Sequence, residues 1–142
     1  MELSTIIFLV LAIIAWGAGA FFDKMTLKYM DASGAFYIRV LFQLILFVPF
    51  LLWKYLPTRQ ALASAGRLAS IFVLSSVLVT MGGVFFYLKA MSGGEASKIV
   101  PLSSTYPFIT FALAFIFLGE NFTLNKFIGT MLISGGIYFI SK

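Results

Sequence analysis

Arg39 and Gln43 stand four residues apart in an otherwise apolar stretch, so on a helix they share one face. Farther along, Lys98, Pro101 and Thr105 fall at i, i+3 and i+7, with Ser104 beside them and Pro107 a turn later. A third stripe holds Ser76, Thr80, Gly83 and Tyr87, at steps of four, three and four residues. With Trp16, which opens the small-residue run Trp16-Gly17-Ala18-Gly19-Ala20, these are the groups with chemistry to offer: cations, an amide, hydroxyls and aromatic faces. Such groups suit the holding of a polar solute. The chain has no His and no Cys, which removes imidazole and thiolate metal sites and the common nucleophile and base pairs of hydrolases. No close carboxylate pair lies inside an apolar stretch, so neither catalysis nor a metal or cofactor is expected.

Each of these groups also has a plainer role. Arg39 lies about 10 Å along a helix that starts near Ser33; at that depth it must snorkel, pair with an acid or line a wet cavity. Ser and Thr hydroxyls can bond their own helix carbonyls, and glycines can serve close helix packing. Pro101 and Pro107 each remove an amide donor and bend the helix, and the carbonyls they free are tolerated in lipid only beside protein or water. The fourth apolar stretch is therefore the one expected to line a pathway.

The elements that position these residues are five apolar stretches, Leu3 to Phe22, Ala32 to Trp53, Leu68 to Leu88, Ile99 to Leu118 and Leu124 to Ile140. About 20 apolar residues cross a hydrocarbon core as a helix. Hydrophobic residues make up 61% of the 142 and charged residues 11%, well under the roughly 25% charge of soluble domains. The stretches lack the two-residue alternation of membrane barrel strands, so the fold class is all-α integral membrane with five transmembrane helices. A pI near 9.6 raises nucleic acid as a partner, but the Lys and Arg sit singly between spans, with no basic run, so none is expected. The first stretch carries Glu2 and no basic residue at its amino end, which favours a retained helix over a signal peptide. Lys54 to Arg67 is too short for a core of its own and fits a short surface helix.

The region from Gly82 to Ser141 resembles the drug/metabolite transporter superfamily, specifically its EamA-type repeat. The residues that carry the resemblance are Tyr87 to Ala90, Gly94-Glu95-Ala96-Ser97-Lys98-Ile99-Val100-Pro101, Leu118-Gly119-Glu120, Ile128-Gly129 and Leu132-Ile133-Ser134-Gly135-Gly136. Trp16-Gly17 and Arg39 also match the pattern, so residues 1–142 are read as a single EamA-like transmembrane domain. The resemblance implies a transporter, and an exporter, of a small organic metabolite or drug-like solute working by alternating access. It also implies pairing of the five-helix repeat into an antiparallel ten-helix homodimer, or with an oppositely oriented paralogue, in the lipid bilayer of a prokaryotic inner membrane. The candidate solute-binding residues are Trp16, Arg39, Gln43, Thr80, Tyr87, Lys98, Pro101, Ser104 and Thr105. Gly129 and Gly136, seven residues apart on one face, are the candidate dimer seam. The related small multidrug resistance family has a glutamate inside its first span; here Glu2 and Asp23 flank that span, so its proton-coupling mechanism does not transfer. The competing reading is a non-transporting membrane subunit, or a partner within a heteromeric transporter.

Glu120 follows Gly119 at the end of the fourth span and is expected to accept from exposed amides at the start of the next helix. Arg39, Lys89 and Lys98 all fall toward one side, with Asp23, Asp31 and Glu95 nearby, a setting that favours a solute bearing carboxylate or phosphate; the alternative is that the lysines solvate the interface and attract lipid headgroups. Orientation is weakly encoded. One side carries Lys54, Arg59, Arg67 and Lys126, and the other carries Lys24, Lys28, Lys89, Lys98 and Lys142, with Arg39 as a sixth if it snorkels. A positive-inside bias needs a clear excess. A reporter fused after Lys142 is therefore expected on both faces of the membrane in comparable amounts, and detection on one face alone would refute dual topology.

Overall fold

A computed structural model describes residues 2–141, and the regular structure among them is helical throughout. The helices are α1 (Leu3–Thr26), α2 (Ala32–Trp53), α3 (Tyr55–Gly93), α4 (Ala96–Ser103), α5 (Pro107–Phe117) and α6 (Leu124–Ser141). Four helical segments are long and apolar enough to cross a membrane: Leu3–Thr26, Ala32–Trp53, Tyr55–Gly93 and Ala96–Phe117. Leu124–Ile140 is apolar but shorter; its length of about 25 Å falls somewhat under the usual hydrocarbon thickness, a mismatch that bilayers absorb at modest cost. The five expected spans are thus present. Lys142, counted above among the basic residues of one side, lies outside the described residues.

Backbone chemistry explains where the helices break. Gly66 sits at φ 73, ψ 170 inside α3, a left-handed φ that favours glycine. Residues 55–65 therefore form a short helix separate from the span at 67–93, as expected for the linker. The fourth span is interrupted between α4 and α5 because Pro107 has no amide to continue the ladder and takes the first helical position of α5. The Ser104 amide reaches both Val100 O at 3.2 Å and Pro101 O at 2.9 Å, and the Thr105 amide reaches Leu102 O at 3.3 Å. The last turn of α4 tightens in this way before the chain restarts. Gly119, at φ 65, ends the next stretch, with the Glu120 amide donating to Ala114 O at 3.3 Å.

The chain packs as two units, one joining α1 up to Phe21 with the residues from Gly93 onward, the other being Phe22–Ser92. In the second, Ala32 and Ala35 of α2 pack with Leu88 of α3, flanked by Leu27, Met30, Phe36 and Val84. Small residues on the first turns of α2 allow that close approach, and Phe36 and Phe85 meet edge to face at 5.3 Å. Asp31 caps α2, its carboxylate accepting from the Ser33 and Gly34 amides at 3.1 and 3.2 Å. In the first unit α4 packs on α6, and Phe122 gathers Phe111, Phe115 and Phe127 around it at 5.7, 6.0 and 5.7 Å. Most other apolar side chains, such as Phe47, Leu78 and Phe139, are exposed. Around membrane helices the hydrocarbon is the solvent, so exposed apolar side chains are what the spans require.

Asp31→Ala is expected to lower the thermal stability of the purified protein by about 1 kcal/mol through loss of the α2 cap. Asp31→Asn should retain most of it, as measured by thermal unfolding in detergent.

Candidate functional site

Asp23 and Arg39 stand eight residues before and after Asp31, the cap at the α1–α2 turn. Asp23 lies about one turn before the end of α1 and Arg39 about two turns into α2, a difference the long arginine side chain can span, and Arg39 Nη1 lies 2.6 Å from Asp23 Oδ1. The pair is partly buried, with 36% of the Arg39 side chain and 21% of the Asp23 side chain exposed. Tyr87 of α3 lies in the field of both charges. One residue along, Lys24 Nζ donates to Met91 O at 2.8 Å, satisfying a carbonyl near the carboxyl end of α3 that its own helix leaves open. The end of α1, the start of α2 and the end of α3 are thereby joined by an ion pair, a cap and a cross-helix hydrogen bond.

Of the three outcomes open to Arg39 from its position, pairing is the one realised. The other two carboxylates that the sequence suggested as neighbours are also engaged. Asp31 caps α2, and Glu95 Oε2 stands 3.9 Å from Lys98 Nζ, an exposed pair of small energetic weight. Lys89 Nζ lies over the Phe85 ring at 5.7 Å. Sequence spacing alone missed the Asp23–Arg39 contact, although an acid near the end of the first span was a signal for a partner to the arginine of the second.

The remaining candidates divide between the two units. Arg39 and Tyr87 come together in the Phe22–Ser92 unit, which also holds Gln43 and Thr80, both exposed. Trp16, Lys98, Pro101, Ser104, Thr105, Gly129 and Gly136 belong to the other unit. The hydroxyls bond within their own helices: Thr80 Oγ1 donates to Ser76 O at 2.6 Å, Ser104 Oγ to Val100 O at 3.0 Å, and Thr105 Oγ1 to Leu102 O at 2.8 Å. Glu120 corrects its sequence reading. Its carboxylate meets Lys126 Nζ at 3.3 Å, while the amide at the start of α6 is served by Thr123, whose Oγ1 accepts from Lys126 N at 3.4 Å. Thr123 precedes the helix by one residue and reaches the amide; Glu120 is farther back and finds the ammonium instead.

Between α5 and α6 runs a groove of about 410 Å³, lined by Tyr106, Phe111, Ala114, Glu120, Lys126 and Gly129 among others. A side chain begun at Gly129 or at Gly136 would meet nothing within 4 Å, so this face of α6 is open. The groove escaped sequence reasoning because its lining is drawn from two helices, α5 and α6, that the Gly119 turn brings together.

Apolar helices of crossing length, with their few charges paired or near helix ends, define an integral, multi-pass membrane protein. The chain belongs to the EamA-like transporter family, whose model matches residues 3–142. Members of that family are transporters, which implies a small-molecule solute and a lipid environment. The chain is similar to an uncharacterized protein of Methanocaldococcus jannaschii, 31% identical over 141 residues that cover 99% of this chain and 98% of that one. It is also similar to an uncharacterized transporter of Archaeoglobus fulgidus, 26% identical over 129 residues. That match covers 91% of this chain and 45% of the transporter, so the chain spans under half of that protein's length. No solved structure matches.

A double-mutant cycle on Asp23→Asn and Arg39→Gln is expected to give a coupling of about 1–2 kcal/mol in unfolding free energy, the contact being charged but partly solvated. Arg39→Gln alone should cost more than the double variant, because it leaves the Asp23 carboxylate without its cation.

Proposed function

We propose that the protein exports a small organic solute by alternating access as an antiparallel homodimer of five-helix repeats. The observation that carries the reading is the family match from residue 3 to residue 142. The alignment to under half of a longer transporter supports pairing, since a transporter built from two repeats needs a second half against which the first can move. A paralogue inserted in the opposite sense would meet the same need. The relatives are archaeal, which agrees with a prokaryotic cell membrane.

In this reading the solute binds among Trp16, Arg39, Gln43, Thr80, Tyr87, Lys98, Pro101, Ser104 and Thr105. The break between α4 and α5 at Pro107 supports a pathway role for the fourth span, because interrupted helices supply polar backbone at depth. Arg39 commits one nitrogen to Asp23, and a guanidinium carries five N–H donors. A carboxylate or phosphate on the solute can therefore join Asp23 at this site or replace it. Gly129 and Gly136 provide the seam between protomers, a role supported by the open space beside both. The helices of the first four spans rock while the α6 seams stay packed.

The competing reading, a non-transporting subunit packed on another membrane protein, draws on the pairing of Arg39 by Asp23, which requires no water. Flux decides between them. Purified protein in liposomes, screened with anionic and cationic metabolites, is expected to move at least one anionic solute, and Arg39→Gln should abolish that flux while leaving expression and dimer intact. No flux of any solute favours the subunit; normal flux by the variant, or a preference for cations, removes Arg39 from the solute site.

A further inference from the structure

The linker between α2 and the long span of α3 has a composition that the transport reading does not use. From residue 32 to residue 94 the chain contains no Asp or Glu, yet Lys54, Arg59 and Arg67 follow one another within that interval. Among the described residues none of the three has an acidic partner. Lys54 Nζ instead lies over the Trp53 ring, 4.1 Å from its centroid. Residues 55–65 form a helix of about 16 Å, delimited by the turn at Lys54 and by Gly66 in its left-handed conformation. Every residue from 55 to 68 is exposed.

The helix carries its one charged residue among its largest apolar side chains. Tyr55, Arg59 and Leu62 fall at i, i+4 and i+7 and share a face with Leu56 and Ala63; Gln60 and Ser64 follow at the edge beside Leu56, and Pro57, Ala61 and Ala65 lie across from that face. Arg59 is thus set among apolar side chains. A guanidinium so placed suits a boundary where its stem runs along an apolar medium and its head emerges at a charged layer. The membrane interface offers both, and Trp53 and Tyr55 at the start of the helix are the side chains enriched at that level.

We propose that residues 54–67 form an in-plane interfacial anchor that binds the phosphate groups of anionic phospholipids in the surrounding bilayer. Leu56, Leu62 and Ala63 enter the edge of the acyl layer, and Lys54, Arg59 and Arg67 supply cations at the start, middle and end of the segment. With no carboxylate between residues 32 and 94, this segment differs from the α5–α6 turn, where Glu120 already holds Lys126. The anchor ties α2 to α3 through the headgroup layer, with Gly66 letting the chain leave the plane of the interface and enter the span.

Trp53 reports on the site directly. In a Trp16→Phe background, which leaves Trp53 as the single tryptophan, the full-length protein is reconstituted into vesicles containing phosphatidylcholine and phosphatidylglycerol, one or the other carrying brominated chains. Brominated phosphatidylglycerol is expected to quench Trp53 more strongly than brominated phosphatidylcholine at the same mole fraction. The corresponding lipid preference should fall roughly fivefold for each of Lys54→Gln, Arg59→Gln and Arg67→Gln, the factor that about 1 kcal/mol per interfacial cation implies. Lys28→Gln and Lys89→Gln should leave it unchanged. The unsubstituted linker should lose the preference in 1 M salt, where screening acts within about 3 Å; that arm holds even if a variant fails to fold. Equal quenching by the two lipids overturns the proposal and leaves the patch to an acidic protein partner, and a preference that survives the triple substitution or high salt overturns it as well.

Discussion

A guanidinium about 10 Å along a membrane helix imposes the strictest requirement on this protein. Asp23 meets it from the preceding helix at 2.6 Å. The pair neutralises a charge that lipid would reject, and in doing so it sets which residues of α1 and α2 lie opposite each other. Ion pairs of this kind are weak evidence for net stability, because desolvation offsets much of their attraction. Their surer effect is on register: a one-turn slip of α1 along α2 would leave both charges without partners. The neighbouring contacts act in the same sense. Lys24 holds a carbonyl of α3, Asp31 caps α2, and the Ala32, Ala35 and Leu88 contact closes the space between.

Backbone polar groups impose the second requirement, and the chain meets it with proline and glycine at defined places. Pro107 starts a helix where a continuous span would otherwise run, and the amides of Ser104 and Thr105 turn back onto α4 so that the interruption is mostly satisfied within the protein. Gly119 and Gly66 adopt positive φ where the chain must change direction. Hydroxyls at Thr80, Ser104 and Thr105 bond carbonyls of their own helices. In that state a hydroxyl keeps its oxygen lone pairs while its proton is already used, so in the proposed solute site these residues would serve as acceptors.

The two ends of the machinery differ in electrostatic character. Around Asp23, Arg39 and Lys24 each charge has a partner, and the segment is held by directional contacts within the protein. Around Lys54, Arg59 and Arg67 the charges have no acidic partners among the described residues, and the segment depends on what surrounds it. Both features suit the proposed pairing of two repeats, in which a rigid group of helix ends and a membrane-anchored linker would each have a use.

Composition and the lengths of the apolar runs determined the fold class and the positions of the five spans, because hydrocarbon leaves the backbone few ways to satisfy its polar groups. The family was legible as well, in Tyr87 to Ala90, the run to Pro101 and Leu118-Gly119-Glu120. The break at Pro107 and the short helix between Lys54 and Arg67 followed from local chemistry. What the sequence left open was which polar groups meet. Asp23 read as a residue flanking a span, yet the hairpin carries it to Arg39; Glu120 read as a helix cap, yet Thr123 takes that role and Lys126 takes the carboxylate. The α5–α6 groove likewise takes its lining from both helices, Ala114 of α5 and Gly129 of α6 among them. Burial in lipid is fixed by composition along the chain, whereas pairing depends on distances between helices, which tertiary structure alone decides.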